Sequence, residues 1–382
     1  SQSLERDLNW QIVNLGVAPE ELHDSPILYI SGNQALDFTQ EQIAKLRTFV
    51  EQGGLILGNA DCGSASFATS FRALGKAMFP DYDFGELPRN HVIYTTQQFH
   101  IGRWKNPPSV LGMNNGVREL MLLVPDLDMA RFWQLQAPLM KPEAYELAAN
   151  IFLYAVDNKS LRVKGETHIV PRDPKKKAGK TVKLARLAHA KPWNPEPAGW
   201  VRMANILHNE AGINLDVQSV KCGEGKLDKS FAIAHLTGTT KFELTPAGRD
   251  ELRKWVEGGG TLIIDSAGGN AAFAASADDE LAKIFPDAKR PLPALALDHA
   301  VFASFQKRAE VAYRPHAKRE LVGALNAPRV RGLEIGGRLA VLYSAEDLSA
   351  GLVGQSVDGI VGYTPDTATW IVRSIIQHVA GK

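Results

Sequence analysis

The chain has 382 residues, of which 45% are apolar and 22% charged, with 43 basic against 42 acidic side chains and a net charge of +1. That balance excludes a disordered tail and a general electrostatic affinity for nucleic acid or anionic lipid, and no run approaches the roughly 18 consecutive apolar residues of a membrane span. The length favours two domains. Two cysteines, Cys62 and Cys222, are too few for a disulfide framework and are compatible with a cytoplasmic or an exported protein.

In chain order, a strand is expected at 10–15, then a buried strand at 26–30 that ends in a turn at Gly32. Thr39 is placed to cap a helix over 40–52, with an apolar stripe at Ile43, Leu46, Phe49 and Val50. Gly53-Gly54 stops that helix, and a buried strand follows at 55–57. A helix started by Pro142 runs over 142–156. The segment 171–180 combines two prolines with a basic run and reads as a solvated linker. Beyond it come a strand at 182–189, a helix near 200–210 and strands at 214–220 and 231–236. Thr245-Pro246 opens a helix ended by Gly258-Gly259-Gly260, a strand follows at 261–264, and a helix over 365–379 closes the chain.

The second series repeats the first. Residues 32–81 align without gaps to 238–287, and 16 of the 50 pairs are identical, where chance gives about one in fifteen. Phe79-Pro80-Asp81 answers Phe285-Pro286-Asp287, and His91-Val92-Ile93-Tyr94 answers His299-Ala300-Val301-Phe302. Strand, helix and strand joined by short glycine turns make a βαβ crossover, so each copy is expected to be an α/β three-layer sandwich with a mostly parallel sheet. The copies divide the chain into a domain at 1–160, a linker at 161–180 and a domain at 181–382. The strand at 214–220 matches 10–15, so the first copy starts one strand and one helix late. We expect those elements upstream of Ser1 in a longer natural protein; the segment 161–170 is the alternative that would fill the gap.

The blocks 26–67 and 231–273, with the Phe-Pro-Asp and His-x-Ile/Val-Tyr/Phe elements after them, resemble an uncharacterised bacterial domain family of the class I glutamine amidotransferase-like superfamily. Trehalose-utilisation-type domains and the trimerisation domain of some β-galactosidases are related to it. The resemblance implies a flavodoxin-like sandwich in each copy and little about activity, because many members of that superfamily lack the catalytic groups.

Active members carry a nucleophilic Cys on the elbow after the second strand, with a His-Pro-Glu element later. Here the elbow reads Gly58-Asn59-Ala60-Asp61-Cys62-Gly63, and the family's Gly-x-Cys spacing falls on Ala60. The same position in the second copy is Ser266, while Cys62 aligns with Gly268 and His100 with Gln306. No position holds a nucleophile in both copies. Cys62, His100 and Ser266 are the catalytic candidates, and a structural role is favoured for Cys62.

Open α/β sheets bind ligands beyond the carboxyl ends of their strands. Those ends offer Gly32, Asn33, Asn59 and Asp61 in the first copy, and His189, Gly238, Thr239, Asp265 and Asn270 in the second. Asp61 and Asp265 are expected to cap the helices that follow them. Asp61, Cys62, His91 and His100 have metal-ligand side chains without paired ligand spacing, so no metal is expected; His91 and His299 are each expected to precede a strand. No phosphate loop or dinucleotide fingerprint is present, and no cofactor is implied. Trp193, Trp200 and Trp104 sit where they could stack on a sugar or anchor their own loops.

The sequence therefore favours a non-catalytic binding or assembly scaffold for a small molecule, glycan or protein. A hydrolase using Cys62 or Ser266 and a carbohydrate-binding module are the alternatives.

Overall fold

The computed structural model describes residues 11–158, 166–190 and 192–381. They fall into two compact units, Ser1–Thr167 with Gln355–Gly359, and His168–Gly354 with Ile360–Lys382.

The first unit contains β1 (Ile27–Gly32), α1 (Gln40–Glu51), β2 (Leu55–Ala60), α2 (Ala65–Met78), β3 (Phe84–Glu86), α3 (Val92–Thr95), β4 (Leu111–Asn114), β5 (Glu119–Val124), α4 (Met129–Gln134) and α5 (Pro142–Ala155). Its sheet has the order β1-β2-β5-β4-β3. β1, β2 and β5 are parallel, and β5, β4 and β3 pair antiparallel. Phe67, Phe71, Leu74 and Met78 of α2 and Leu46, Phe49 and Val50 of α1 pack on one face. On α5, the Tyr154 hydroxyl accepts the Glu119 amide at 2.8 Å.

The strand expected at 10–15 does not form. Trp10 lies outside the described residues, 11–14 have no regular structure and Leu15-Gly16 turn. Asn14 Oδ1 accepts the Gly16 amide at 2.7 Å, an Asx turn that takes the backbone donor a ladder would need. Of the alternative segment, 161–165 lie outside the described residues and 166–170 are irregular.

The second unit contains β6 (Lys180–Ala188), α6 (Ala198–Ala211), β7 (Ile213–Lys221), β8 (Ile233–Gly238), α7 (Pro246–Glu257), β9 (Thr261–Ser266), α8 (Ala271–Ile284), α9 (Ala300–Ala303), α10 (Pro315–Glu320), β10 (Arg331–Ile335), β11 (Arg338–Ser344), α11 (Ser349–Val353) and α12 (Pro365–Ala380). The sheet order is β10-β11-β9-β8-β6-β7, with the β10 edge antiparallel and every other pairing parallel. Counted from β6, the parallel strands β7, β6, β8, β9 and β11 run second, first, third, fourth, fifth, which is the flavodoxin-like order. α6 and α12 cover one face and α7 and α8 the other. No helix among the described residues is long and apolar enough to cross a membrane.

The repeated block is built by the same devices in both units. Thr39 Oγ1 accepts the Gln42 amide while Gln42 Oε1 accepts the Thr39 amide, a capping box; Thr245 Oγ1 accepts the Gly248 amide beside Pro246. At the other ends Gly53 and Gly259 take φ of 102° and 117°, which L side chains rarely adopt. The next glycines are kept by packing: a Cβ on Gly54 or Gly260 would lie 2.3 Å from Phe49 or 2.2 Å from Trp255. The run at 168–173, where a solvated linker was expected to begin, is tied along α6. Asn205 and Asn209 donate to the carbonyls of Val170 and Pro171, each at 2.8 Å, and Arg202 donates to that of His168.

Candidate functional site

β6 and β8 are neighbours whose connections leave in opposite directions, β6 through α6 to β7 at the edge and β8 through α7 to β9 toward the centre. Their carboxyl ends form the topological switch point, where open α/β sheets bind ligands in a crevice. Among the described residues the first sheet begins at β1, the counterpart of β8, so this crevice belongs to the second unit.

On β6, Val182, Leu184 and Arg186 share the face toward α6, because side chains alternate along a strand. Arg186 pairs in register with His235 of β8. It is 4% exposed, with its guanidinium 5.9 Å from the Trp193 ring and 5.8 Å from the Trp200 ring. Its buried Nε has no hydrogen-bond partner among the described residues. Burial pushes its pKa down to about 10, against the field of Asp265, so it remains a cation at neutral pH.

Beside it lies a closed network. His235 Nε2 contacts Asp265 Oδ1 at 2.6 Å, and Trp200 Nε1 donates to His235 Nδ1 at 3.1 Å. The indole can only donate, so His235 carries its proton on Nε2 and its Nδ1 lone pair is occupied. Burial lowers the His235 pKa despite the adjacent carboxylate. Desolvation would raise that of Asp265, but His235 and the amides of Leu348 (3.0 Å) and Ser349 (2.8 Å) hold it low. The Ser349 hydroxyl donates to Asp265 Oδ1 at 2.9 Å. The pair is therefore a neutral imidazole beside an ionised carboxylate. Asp347 receives the amides of Gly268, Ala350 and Gly351. Its own burial, with the nearby Asp265 charge, pushes its pKa up to about 6 against the opposing effect of Arg314.

The first unit repeats this network with an uncharged central pair. Tyr29 and Asn59 stand at the positions of His235 and Asp265. The Tyr29 hydroxyl donates to Asn59 Oδ1 at 3.0 Å, and the Met129 amide donates to the same oxygen at 3.0 Å. Asn59 Nδ2 donates to the carbonyls of Val124 and Leu127. Asp128 Oδ2 accepts the Cys62 amide at 3.0 Å, as Asp347 accepts that of Gly268.

The elbow apex is Cys62 (φ 53°) in the first unit and Gly268 (φ 71°) in the second, two residues beyond the position the spacing indicated. Cys62 is exposed, and its Sγ lies 3.5 Å from Asp128 Oδ2. Partial desolvation acts to raise the Asp128 pKa, but hydrogen bonds from Arg131 and Cys62 lower it overall, which makes it a weak base. His100 Nδ1 accepts the Gly102 amide at 3.0 Å, and no hydrogen bond joins His100 to Cys62 among the described residues. Ser266 is fully buried and donates to the Asn270 carbonyl at 2.6 Å.

The other expected ligand residues separate into engaged and partly engaged groups. Asn59 and Asp265 are wholly committed inside the protein. Gly32 and Gly238 lie against Phe67 and Phe273, and the Asn33 carbonyl accepts Ser64 Oγ. Asn270 caps α8 through the amides of Ala272 and Phe273. The expected capping by the two aspartates is corrected: Ser64 and Asn270 cap α2 and α8. Asp265 instead receives amides at the start of α11, and Asp61 Oδ1 is buried without a hydrogen-bond partner among the described residues. Burial and the Asp128 charge raise the Asp61 pKa. His189 Nε2 donates to the Thr237 carbonyl at 2.9 Å, and among the described residues its buried Nδ1 has no hydrogen-bond partner, nor has Thr239 Oγ1.

His91 and His299 cap the one-turn helices α3 and α9, each accepting an amide at 3.2 Å, rather than preceding strands. Trp104 is buried and donates to Glu146 at 2.6 Å, pinning its loop. No group of three or more His, Cys, Asp or Glu side chains among the described residues could hold a metal ion. Sequence reasoning missed Arg186 and His235. The available signal was polarity at an inward position of an otherwise apolar strand.

A search of curated proteins finds no match to the chain. A family model matches residues 1–156 and 183–376, and the chain belongs to that family, described as Domain of unknown function (DUF4159).

Proposed function

We propose that the chain is a non-catalytic binding scaffold made of two amidotransferase-like sandwiches, with a small-molecule site at the switch point of the second. The observation that carries this reading is the occupied lone pair of His235. An imidazole beside a buried carboxylate is the usual form of a general base, but here Trp200 N–H covers the basic nitrogen. The first unit replaces the pair with Tyr29 and Asn59, and the elbow nucleophile of one unit becomes glycine in the other. The flavodoxin-like order of the second sheet and the left-handed elbow apices support the superfamily placement.

Purified protein is expected to hydrolyse neither glutamine nor an activated ester in a manner that depends on Cys62 or Ser266. Turnover abolished by Cys62→Ala or Ser266→Ala would refute the reading.

A second reading, a thiol hydrolase, draws on the exposure of Cys62 at the elbow apex. It requires an imidazole to approach Cys62, and the thiol's partner in the structure is Asp128. Labelling by iodoacetamide separates the two readings. A hydrolase predicts a single fast-reacting thiol with a pH profile set by a histidine, whereas the scaffold predicts the slow rate of a free thiol.

A further inference from the structure

We infer that the switch-point crevice of the second unit binds a small hydroxylated oxyanion, such as a sugar acid or sugar phosphate, with Arg186 holding the oxyanion. The inference rests on the binding reading above and names its ligand class. A buried guanidinium without a paired carboxylate is costly, and stacking between two indoles offsets only part of that cost. Asp265 does not supply the partner: its oxygens take His235, Leu348 and Ser349, and no ion pair joins it to Arg186 among the described residues. A purely structural position between Trp193 and Trp200 would be filled as well by an apolar side chain, whereas a planar fork of donors matches a carboxylate or phosphate.

The rest of the ligand is inferred from polar atoms at the carboxyl ends of β6 and β8 and on the loop that leaves β6, with the His189 ring against Phe242 and Phe273. His189 Nδ1 is an acceptor, because Nε2 donates to the Thr237 carbonyl. Asn194 Oδ1, on the loop leaving β6, is an acceptor, and Thr239 Oγ1, just beyond β8, serves either way. All three are buried without hydrogen-bond partners among the described residues. One cationic donor, two acceptors and a hydroxyl at the ends of two adjacent strands complement a molecule carrying one oxyanion and several hydroxyl groups. The exposed face of the half-buried Trp193 suits the C–H face of such a molecule.

The test follows the Arg186 Nε–H resonance and tryptophan fluorescence of the full chain during titration with inorganic phosphate, gluconate and hexanoate. All three are expected to move the Arg186 resonance, with gluconate binding roughly tenfold more tightly than hexanoate, the value of about one net hydrogen bond. Arg186→Lys keeps the charge, loses the fork and is expected to weaken gluconate at least about tenfold; its thermal melt reports folding separately. An unmoved Arg186 resonance with all three anions overturns the inference, as does wild-type affinity in a folded Arg186→Lys. Equal affinity for gluconate and hexanoate overturns the hydroxyl assignment. Glutamine hydrolysis dependent on Cys62 would refute the non-catalytic reading while leaving the anion titration intact, so the two failures are distinguishable.

Discussion

Trp200 determines what His235 can do. Its N–H both satisfies a buried acceptor and prevents that acceptor from taking a proton. Trp200→Phe keeps most of the packing and removes this donor, so a loss of about 1–3 kcal/mol is expected in denaturant unfolding. Glu119 provides a pH test in the first unit. Burial raises its pKa to about 7 from an ordinary 4.5, against the opposing effects of Asn114 and Arg118. Below pH 4.5 both folded and unfolded chains hold this proton. As pH rises to about 7 the unfolded chain ionises first, so the contribution of Glu119 to stability is lost across that window. Glu119→Gln should match the parent near pH 4 and exceed it at pH 8 by on the order of 1–3 kcal/mol. A difference that does not depend on pH would refute the assignment. Cys62→Gly relieves a left-handed φ of 53° that the second unit already gives to glycine. It should leave the melting temperature unchanged or raised, within about 1 kcal/mol.

At the scale of elements, the strand–helix–strand block was legible because each of its joints has a residue with a local physical reason. Thr39 and Thr245 cap, Gly53 and Gly259 take positive φ, and the next glycine lies against Phe49 or Trp255. Gly54→Ala or Gly260→Ala should each cost about 1–3 kcal/mol by thermal unfolding, since the new methyl would enter an aromatic ring. A second repeated device escaped the sequence reading. Arg118, just before β5, and Arg338, at the start of β11, each donate to a carbonyl in the last turn of a helix and to that of the glycine before the next strand: Arg118 to Val50 and Gly54, Arg338 to Val256 and Gly260. Loops of different length separate these arginines from the aligned block, so no fixed offset connects them. The expected strand at 10–15 failed for a local reason too: Asn14 supplies its own turn, which hydrophobicity alone does not report.

At the scale of the molecule, duplication preserved the scaffold and divided the chemistry. The same internal crossing is neutral in one unit, with Tyr29 and Asn59, and charged in the other, with His235 and Asp265. Most of the candidate ligand residues read from strand ends serve as caps or internal ties. What identifies the crevice is the neighbour relation of β6 and β8, fixed by sheet topology and invisible to a linear reading. The central claim is that the His235–Asp265 pair is a locked structural element, and the most direct measurement is ¹⁵N NMR of the histidine ring nitrogens across pH. His235 is expected to be a neutral Nε2–H tautomer at neutral pH, titrating only below the ordinary histidine pKa of about 6.5 because burial disfavours its charged form. A His235 signal that titrates at or above that ordinary value, or carries its proton on Nδ1, would contradict it.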